Sequence, residues 1–562
     1  MRPGSTTAGV LALCVMLPAG GATAQQGHMM GGSGWRMPPM DPDMMVMGTA
    51  FSGLVPNVAP FVPGGGIDLG ELPLARPGEV VQLTDGDTLR LEAGALRRDI
   101  GGQTVLAYGF NGQSPGPTIR VEEGSTIVVE FVNGIHFSTT MRWHGVRLEN
   151  EFDGVPGLTQ RPVRSGESFS YRVHFPDAGA FWYHPHQRAH IAQYLGLYGA
   201  IIVDSSDPEY DNPVNREQVM ILDDLLVDEM GLIPWGEEAP THALMGRFGN
   251  VLLVNGASDF RTEVGVGEVV RLYLTNAASA RPFNLALGGA RLKLVAGDLG
   301  HFENEEWVSN VVIAPGQRYV VEAHFDEVGD VPLTNSVAGV SHLLGDFQQT
   351  VDTLGSFRVG PEPPEEALGE GFGTLRSHAS VAAEMEALRP LFDRPPDREL
   401  VLGLQVGELP IPVVLMMEAD TLYSAPIEWT DPMPMMNWLS TGIDVLWILH
   451  EPTRGGDAAE VTPARGWRFA EGEVVKIRLF NDPRSLHPMS HPMHMHGQRF
   501  VVLEQDGVRL SNLVWRDTVL VPVGSTVDLL VDMSNPGTWM LNCQISEHVG
   551  SGMSMSFTVS PG

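Results

Sequence analysis

One pattern of turn and strand occurs three times along the chain, and this repeat limits the fold more than any other feature. Each copy has Gly in its third place, then alternating β-branched residues, then Asn. A second shared pattern follows each copy. The first pattern covers 122–133, 265–276 and 470–481, and the second covers 165–175, 315–325 and 523–533. Because each copy describes a turn that leads into a strand and out again, the sequence predicts three related β domains.

Length and composition agree with this division. A chain of 562 residues is too long for one hydrophobic core, since single cores stop growing near ~250–300 residues. Helical periodicity is scarce, and short strands lie between Gly/Pro turns, so we expect an all-β protein built from Greek-key sandwiches or barrels. The predicted divisions are a signal peptide (1–24), a methionine-rich N-terminal segment (25–74), a first domain (75–205), a second domain (206–360), a linker with one short helix (361–398) and a third domain (399–562).

The N-terminus predicts export from the cytoplasm. Arg2 precedes an apolar stretch, and small residues at Ala22 and Ala24 come before Gln25, which is the pattern of a cleaved signal peptide. The stretch has no twin arginine, so we expect the general secretion route and a secreted or periplasmic protein. The apolar run is shorter than the ~20 residues of a spanning helix, and a membrane anchor is the less favoured alternative. Removal of the leader leaves Cys543 as the only cysteine.

The charge of the chain excludes some partners. The formal net charge is −33, so nucleic acids and anionic membrane surfaces would repel the protein. The same charge is compatible with attraction of metal cations or of a basic redox partner, or with a surface that serves solubility alone.

The repeat also aligns two groups of histidines. RWHG (142–145) falls opposite HMHG (494–497), and GAFWYHPH (179–186) falls opposite GTWMLNCQ (537–544) without a gap. The middle copy has no histidines at these places. Alternate residues of a strand point to one face, so we expect two such strands, from the first and third domains, to bring imidazoles together at a metal site.

These motifs resemble the multicopper oxidase family. The resemblance rests on SHPMHMHG (490–497), WYHPH (182–186), LVWRDTVLV (513–521), and the spacing C-x4-H-x4-M that begins at Cys543. It implies three cupredoxin-like domains, a type 1 copper in the third, and a trinuclear copper cluster between the first and third. The implied type 1 ligands are His491, Cys543, His548 and Met553. A thiolate, two imidazoles and a distant thioether suit an electron-transfer copper.

The chain departs from the family pattern only in the cluster. The family has four H-x-H pairs, of which this chain keeps His144, His184, His186, His494 and His496. Arg142 replaces an implied type 2 ligand, and Asn542 and Gln544 replace one ligand on each copper of the type 3 pair. Amides bind copper more weakly than imidazole does, and arginine keeps its positive charge. The surviving histidines are therefore expected either to hold a metal in part or to be hydrogen-bonded without one.

Two segments are rich in methionine. The first, 28–48, is too rich in Gly, Pro and Asp to be core, and thioethers select Cu(I). It is interpreted either as a Cu(I)-collecting tail or as a remnant of the leader, and its candidate ligands are Met29, Met30, Met37, Met40, Met44, Met45 and Met47. The second, 431–438, has three more methionines that suit packing near the type 1 site as well as they suit metal capture.

Three functions are consistent with this sequence. The favoured one is an exported copper oxidoreductase whose type 1 copper accepts electrons from a phenol-like or Cu(I) donor, or from a redox protein, with impaired reduction of O2. The second is a working laccase or cuprous oxidase with an altered cluster. The third is a copper-free scaffold that binds another protein.

Overall fold

The computed structural model describes most of the chain. The described residues are 61–236, 238–341, 346–406, 427–429, 445–452, 463–485, 487 and 489–562. The predicted signal peptide and both methionine-rich segments (28–48 and 431–438) lie outside these ranges.

The first predicted domain contains nine strands. They are β1 Val80–Gln82, β2 Thr88–Ile100, β3 Gln103–Phe110, β4 Thr118–Glu122, β5 Thr126–Asn133, β6 Arg142–His144, β7 Ser168–His174, β8 Gly179–His184 and β9 Gly199–Asp204. They form two sheets, in the orders β3-β2-β5-β7 and β1-β4-β9-β8-β6.

The second predicted domain is built in the same way. Its strands are β10 Arg216–Leu225, β11 Val227–Asp228, β12 Gly231–Leu232, β13 Val251–Val254, β14 Phe260–Gly265, β15 Val269–Asn276, β16 Phe283–Leu287, β17 Arg291–Gly297, β18 Gly300–Val308, β19 Val311–Ile313, β20 Arg318–His324, β21 Gly329–Ser341 and β22 Asp346–Gly360. Its two large sheets have the orders β13-β10-β15-β20-β17-β18 and β14-β22-β21-β16-β19, and β11 pairs with β12.

The third predicted domain carries the remaining strands. They are β23 Arg398–Val406, β24 Ile427–Trp429, β25 Val445–His450, β26 Trp467–Ala470, β27 Glu473–Asn481, β28 His491–Met495, β29 Arg499–Gln505, β30 Val508–Arg509, β31 Trp515–Arg516, β32 Thr518–Val521, β33 Thr526–Met533, β34 Gly537–Cys543 and β35 Ser554–Ser560. One sheet runs β25-β23-β27-β33-β29-β30 with β31 on β29, the other runs β26-β35-β34-β28-β32, and β24 pairs with β21.

Helices are short. The α-helices are α1 Ala189–Ala192, α2 Ala239–Met245, α3 Gly369–Phe372, α4 Ala379–Leu388 and α5 Ser546–Gly550, and 3-10 turns occupy Leu69–Glu71, Asn150–Phe152 and Arg389–Leu391. Helix α4 lies in the segment interpreted as a linker. Within the described ranges, the helices are all too short and too polar to cross a membrane.

The all-β fold class is confirmed, and the repeat explains it. The two repeated patterns form an antiparallel strand pair in each domain: β5 with β7, β15 with β20, and β27 with β33. In β5 the alternate residues Ile127, Val129 and Phe131 are buried while Glu130 is exposed, which is the two-residue period of a strand with one face in the core. Each predicted domain supplies most of one buried apolar cluster, and the cluster centred on the first domain also includes residues of the other two, such as Leu253 and Val501.

The same repeat positions the histidine strands. In the first domain β6 pairs with β8, with Arg142 opposite His184. In the third domain β28 pairs with β34, with His494 opposite Asn542. The gap-free alignment of the two segments in the sequence therefore corresponds to the same register in two sheets.

Candidate metal centre

Three of the four predicted type 1 ligands lie together in the third domain. Cys543 is the last residue of β34, His491 is the first of β28, and His548 is in α5. The Sγ atom of Cys543 is 3.7 Å from Nδ1 of His491 and 3.6 Å from Nδ1 of His548. These three ligand atoms lie within 4.8 Å of one another, and all three residues are buried.

Met553 ends the loop that starts at Cys543 and includes His548, and it is fully buried. Its backbone carbonyl accepts from the Cys543 N–H at 3.1 Å, and its own N–H donates to the His548 carbonyl at 2.9 Å. These two hydrogen bonds close the loop on itself. The loop therefore brings its two ends, Cys543 and Met553, next to each other.

Burial favours the uncharged forms of Cys543, His491 and His548. It raises the pKa of the Cys543 thiol well above its usual range, lowers the pKa of His548 to about 3 and holds that of His491 well below its ordinary value. Nε2 of His491 has no hydrogen-bond partner in the described part of the chain. A copper ion would replace the thiol proton and bind the two neutral imidazoles, so these donors fit the type 1 copper that the resemblance implies.

Residues that the sequence did not single out enclose the imidazoles. The Trp447 ring centre is 4.8 Å from that of His491 and 4.4 Å from that of His548. Its indole N–H donates to the Ala243 carbonyl at 2.9 Å, and Nε2 of His548 is 3.1 Å from the Leu244 carbonyl. Helix α2 of the second domain therefore covers the side of His548 that faces away from Cys543.

A second group of residues lies between the first and third domains. Arg142 is 1% exposed; one of its terminal nitrogens forms an ion pair with Asp153, and the other, Nη2, is 2.7 Å from Nε2 of His494. Nδ1 of His494 lies 3.0 Å from the Asp517 carbonyl, so Nδ1 carries the hydrogen and Nε2 accepts from Arg142. The guanidinium thus uses the lone pair that would otherwise bind a metal.

The buried carboxylate of Asp517 accepts hydrogen bonds from the imidazoles of His144 and His494. Nε2 of His144 is 3.2 Å from Oδ1 of Asp517, and the His144 and His494 rings stack with centres 3.8 Å apart. Burial would raise the pKa of Asp517, but the charge of Arg318 and hydrogen bonds from the two histidines outweigh it and hold the pKa well below its usual range. His144, His494 and Asp517 are close enough to share an ion, but Arg318 already pairs with Asp517 at 2.5 Å.

The other histidines have different surroundings. Nδ1 of His184 is 3.0 Å from the Pro185 carbonyl, and its Nε2 is buried with no partner among the described residues. Nδ1 of His496 is 2.9 Å from Asp153 and its Nε2 is 3.0 Å from Oδ1 of Asn542. The His186 ring centre is 5.4 Å from that of His496, and the side chain of Gln544 is buried.

Comparison with known proteins identifies the chain. Models of multicopper oxidase domains match residues 95–208, 230–354 and 449–562. The chain belongs to the multicopper oxidase family. Multicopper oxidase MmcO of Mycobacterium tuberculosis is 26% identical over 83% of this chain and 86% of its own length. For L-ascorbate oxidase of Cucurbita pepo var. melopepo these values are 26%, 80% and 90%.

A solved multicopper oxidase has the same fold. The crystal structure of McoA from Aquifex aeolicus covers 87% of this chain and 99% of its own, with a TM-score of 0.63 and 23% identity. The family implies copper, and its trinuclear cluster needs imidazole lone pairs directed at common centres. In this multicopper oxidase Arg142 holds the lone pair of His494, and Asp517 lies against Nε2 of His144. Of the nitrogens that such a cluster would use, Nε2 of His494 is therefore taken by Arg142, whereas Nδ1 of His144 and Nε2 of His184 have no hydrogen-bond partner among the described residues.

The sequence patterns did not single out Asp153 or Asp517 as residues of the site. Asp517 belongs to the motif LVWRDTVLV, which carried the family resemblance, and that motif is the signal that would have found it. Asp153 follows a 3-10 turn with no motif around it, and Trp447 and Leu244 are separated from the type 1 residues in the chain.

Proposed function

We propose that this protein is an exported copper oxidoreductase that works at a type 1 copper and reduces O2 weakly or not at all. The proposed ligands are His491, Cys543, His548 and Met553. Bound there, Cu(II) supplies a one-electron acceptor. The proposed donor is a small phenol-like molecule or Cu(I), and the proposed compartment is the periplasm or the exterior, reached by the leader 1–24.

One observation carries the proposal: the 2.7 Å contact between Nη2 of Arg142 and Nε2 of His494. Copper binds an imidazole nitrogen at roughly the 2.0–2.1 Å found for zinc, so it would need the space that the guanidinium nitrogen occupies. Burial lowers the pKa of Arg142, but the nearby carboxylates of Asp153 and Asp517 oppose that shift, and a guanidinium does not lose its proton in a protein. The guanidinium thus opposes type 2 copper both sterically and electrostatically.

The route for electrons out of the type 1 site changes as well. Asn542 and Gln544 adjoin Cys543 where the family has two histidines. The side chain of Asn542 donates to the Cys543 carbonyl at 2.8 Å. In this proposal a reduced type 1 copper therefore does not refill a four-electron centre, and it passes its electron to an acceptor other than O2.

Copper loading tests the proposal. The protein is reconstituted with Cu(I) under argon, oxidised and freed of excess metal, and its copper content, visible spectrum and electron spin resonance are recorded. We expect a blue type 1 absorption and fewer than four coppers per chain. Addition of hydroquinone should bleach the blue colour, and O2 uptake should stay near background.

Two results would contradict this function. Four coppers per chain with rapid O2 uptake would establish a working oxidase. Absence of blue colour after loading would favour a scaffold without copper. A Cys543→Ser variant is the matched control, because it removes the thiolate and should lose the blue band in either case.

A further inference from the structure

Two carbonyls at the end of helix α2 accept hydrogen bonds from side chains of the third domain. The helix stops just before Gly246, whose positive φ of 83° turns the chain. The carbonyls of Ala243 and Leu244 lie in the last turn, where a helix supplies no donors of its own. They accept instead from the Trp447 indole at 2.9 Å and from Nε2 of His548 at 3.1 Å. The type 1 region therefore completes the end of a second-domain helix.

The hydrogen bond to Leu244 determines which nitrogen of His548 can bind a metal. A carbonyl oxygen only accepts, so Nε2 carries the hydrogen and Nδ1 of the neutral ring has the lone pair. Nδ1 is also the atom that lies 3.6 Å from Sγ of Cys543. The ring is therefore already in the tautomer that presents its lone pair beside the thiol.

Local structure does not hold this ring by itself. Helix α5, which carries His548, has five residues, and its N-cap residue Ile545 makes no side-chain hydrogen bond to it. A helix of this length is not stable alone. The second domain binds it twice: the Ser546 N–H donates to the Ser279 carbonyl at 3.3 Å, and the Ser279 hydroxyl donates to Glu547 at 3.2 Å. Contacts with the second domain therefore hold α5 as well as the imidazole.

We propose that residues 243–246 of the second domain position His548 for metal binding and thereby set the copper affinity and the reduction potential of the type 1 site. A hydrogen-bond acceptor on the far nitrogen of a ligating histidine fixes its tautomer and makes it more basic. A more basic imidazole favours Cu(II) over the softer Cu(I), so the Leu244 carbonyl lowers the potential. This inference rests on the proposed type 1 copper, except where it is tested in the copper-free protein.

Gly246→Ala changes this element without altering a proposed ligand. An added Cβ at Gly246 would lie 2.5 Å from Cβ of Ala280 and 3.0 Å from Cγ2 of Ile545, so the turn after α2 must shift and carry the Leu244 carbonyl with it. Gly267→Ala is the matched control. Gly267 belongs to the same predicted domain and has the same φ of 83°, but a Cβ added there meets no atom within 4 Å.

Nuclear magnetic resonance of the copper-free protein is the first measurement. Histidines are labelled with a nitrogen isotope, and His548→Gln assigns the signal. The unmodified protein and Gly267→Ala should show a hydrogen on Nε2 of His548 that exchanges slowly with water, and Gly246→Ala should speed this exchange at least tenfold. Ser279→Ala, which adds no volume and frees α5 from one contact, should act in the same direction, and it carries the test if Gly246→Ala does not fold.

Copper binding is the second measurement. Gly246→Ala should lose about 10–100-fold in Cu(II) affinity and less in Cu(I) affinity, and its reduction potential should be higher than that of Gly267→Ala. Equal losses for both ions would mean structural damage alone and would overturn the inference. A hydrogen on Nδ1 of His548 in the unmodified copper-free protein, or unchanged exchange in the variants, would overturn it as well. Absence of the blue band contradicts the proposed function but leaves the copper-free test intact.

Discussion

Replacing Arg142 with histidine tests the proposed exclusion of type 2 copper. The substitution removes a buried guanidinium and returns an imidazole to the position where the family has one. The ion pair with Asp153 is lost, and both partners are almost completely buried. Removing one partner of a buried pair costs about 3–5 kcal/mol, so we expect the metal-free variant to melt about 6–20 °C lower, at 2–4 °C per kcal/mol.

The same change should favour copper. A unit charge about 4 Å from a divalent ion opposes it by up to about 8 kcal/mol at an effective dielectric of 20, which corresponds to about a millionfold in affinity. Arg142→His should therefore bind one more copper per chain than the unmodified protein does. Bound copper should also restore stability, by about 4 kcal/mol at a thousandfold excess over the dissociation constant.

Calorimetry with and without copper, combined with copper analysis, measures both effects. Arg142→Gln is the control, because it removes the charge without supplying an imidazole, and its copper affinity should lie between those of the other two proteins. The reasoning fails if the unmodified protein binds as many coppers as Arg142→His does. It also fails if the metal-free variant melts at the same temperature as the unmodified protein, since the ion pair would then contribute no stability.

The other predictions concern the type 1 region. Burial raises the pKa of Glu547 to about 7 from about 4.3 in the unfolded chain. The protonated group therefore favours the folded apoprotein below about pH 4, and this contribution of about 4 kcal/mol is lost as the pH rises through 7. Glu547→Gln should abolish this loss when urea unfolding is measured at pH 5 and pH 8. Trp447→Phe removes the donor to the Ala243 carbonyl and should lower the free energy of unfolding by about 1–3 kcal/mol. In stopped flow, hydroquinone should also bleach the blue copper of this variant faster. An unchanged rate would mean that the cover formed by α2 does not limit access of the donor to the copper. Removal of copper by a Cu(I) chelator should lower the melting temperature of the unmodified protein but not that of Cys543→Ser, as calorimetry of the two proteins will show.

Sequence determined the fold because its signals are local. The Gly–strand–Asn repeat encodes a turn and a two-residue period, and both depend only on neighbouring residues. The alignment of RWHG with HMHG placed Arg142 and His494 at equivalent positions, and the paired strands confirm that register. The family resemblance of the spacing from Cys543 to His548 and Met553, which one loop sets, implies a type 1 copper, and this assignment stays a prediction.

The tertiary structure decided which lone pairs are free. Arg142 and His494 are 352 positions apart, and their hydrogen bond exists only because the first and third domains pack together. The same packing brings Asp153 to His496 and Leu244 to His548. The sequence indicates which side chains can bind a metal, but a hydrogen-bond partner from another domain determines whether each nitrogen is available, and no local pattern encodes that partner.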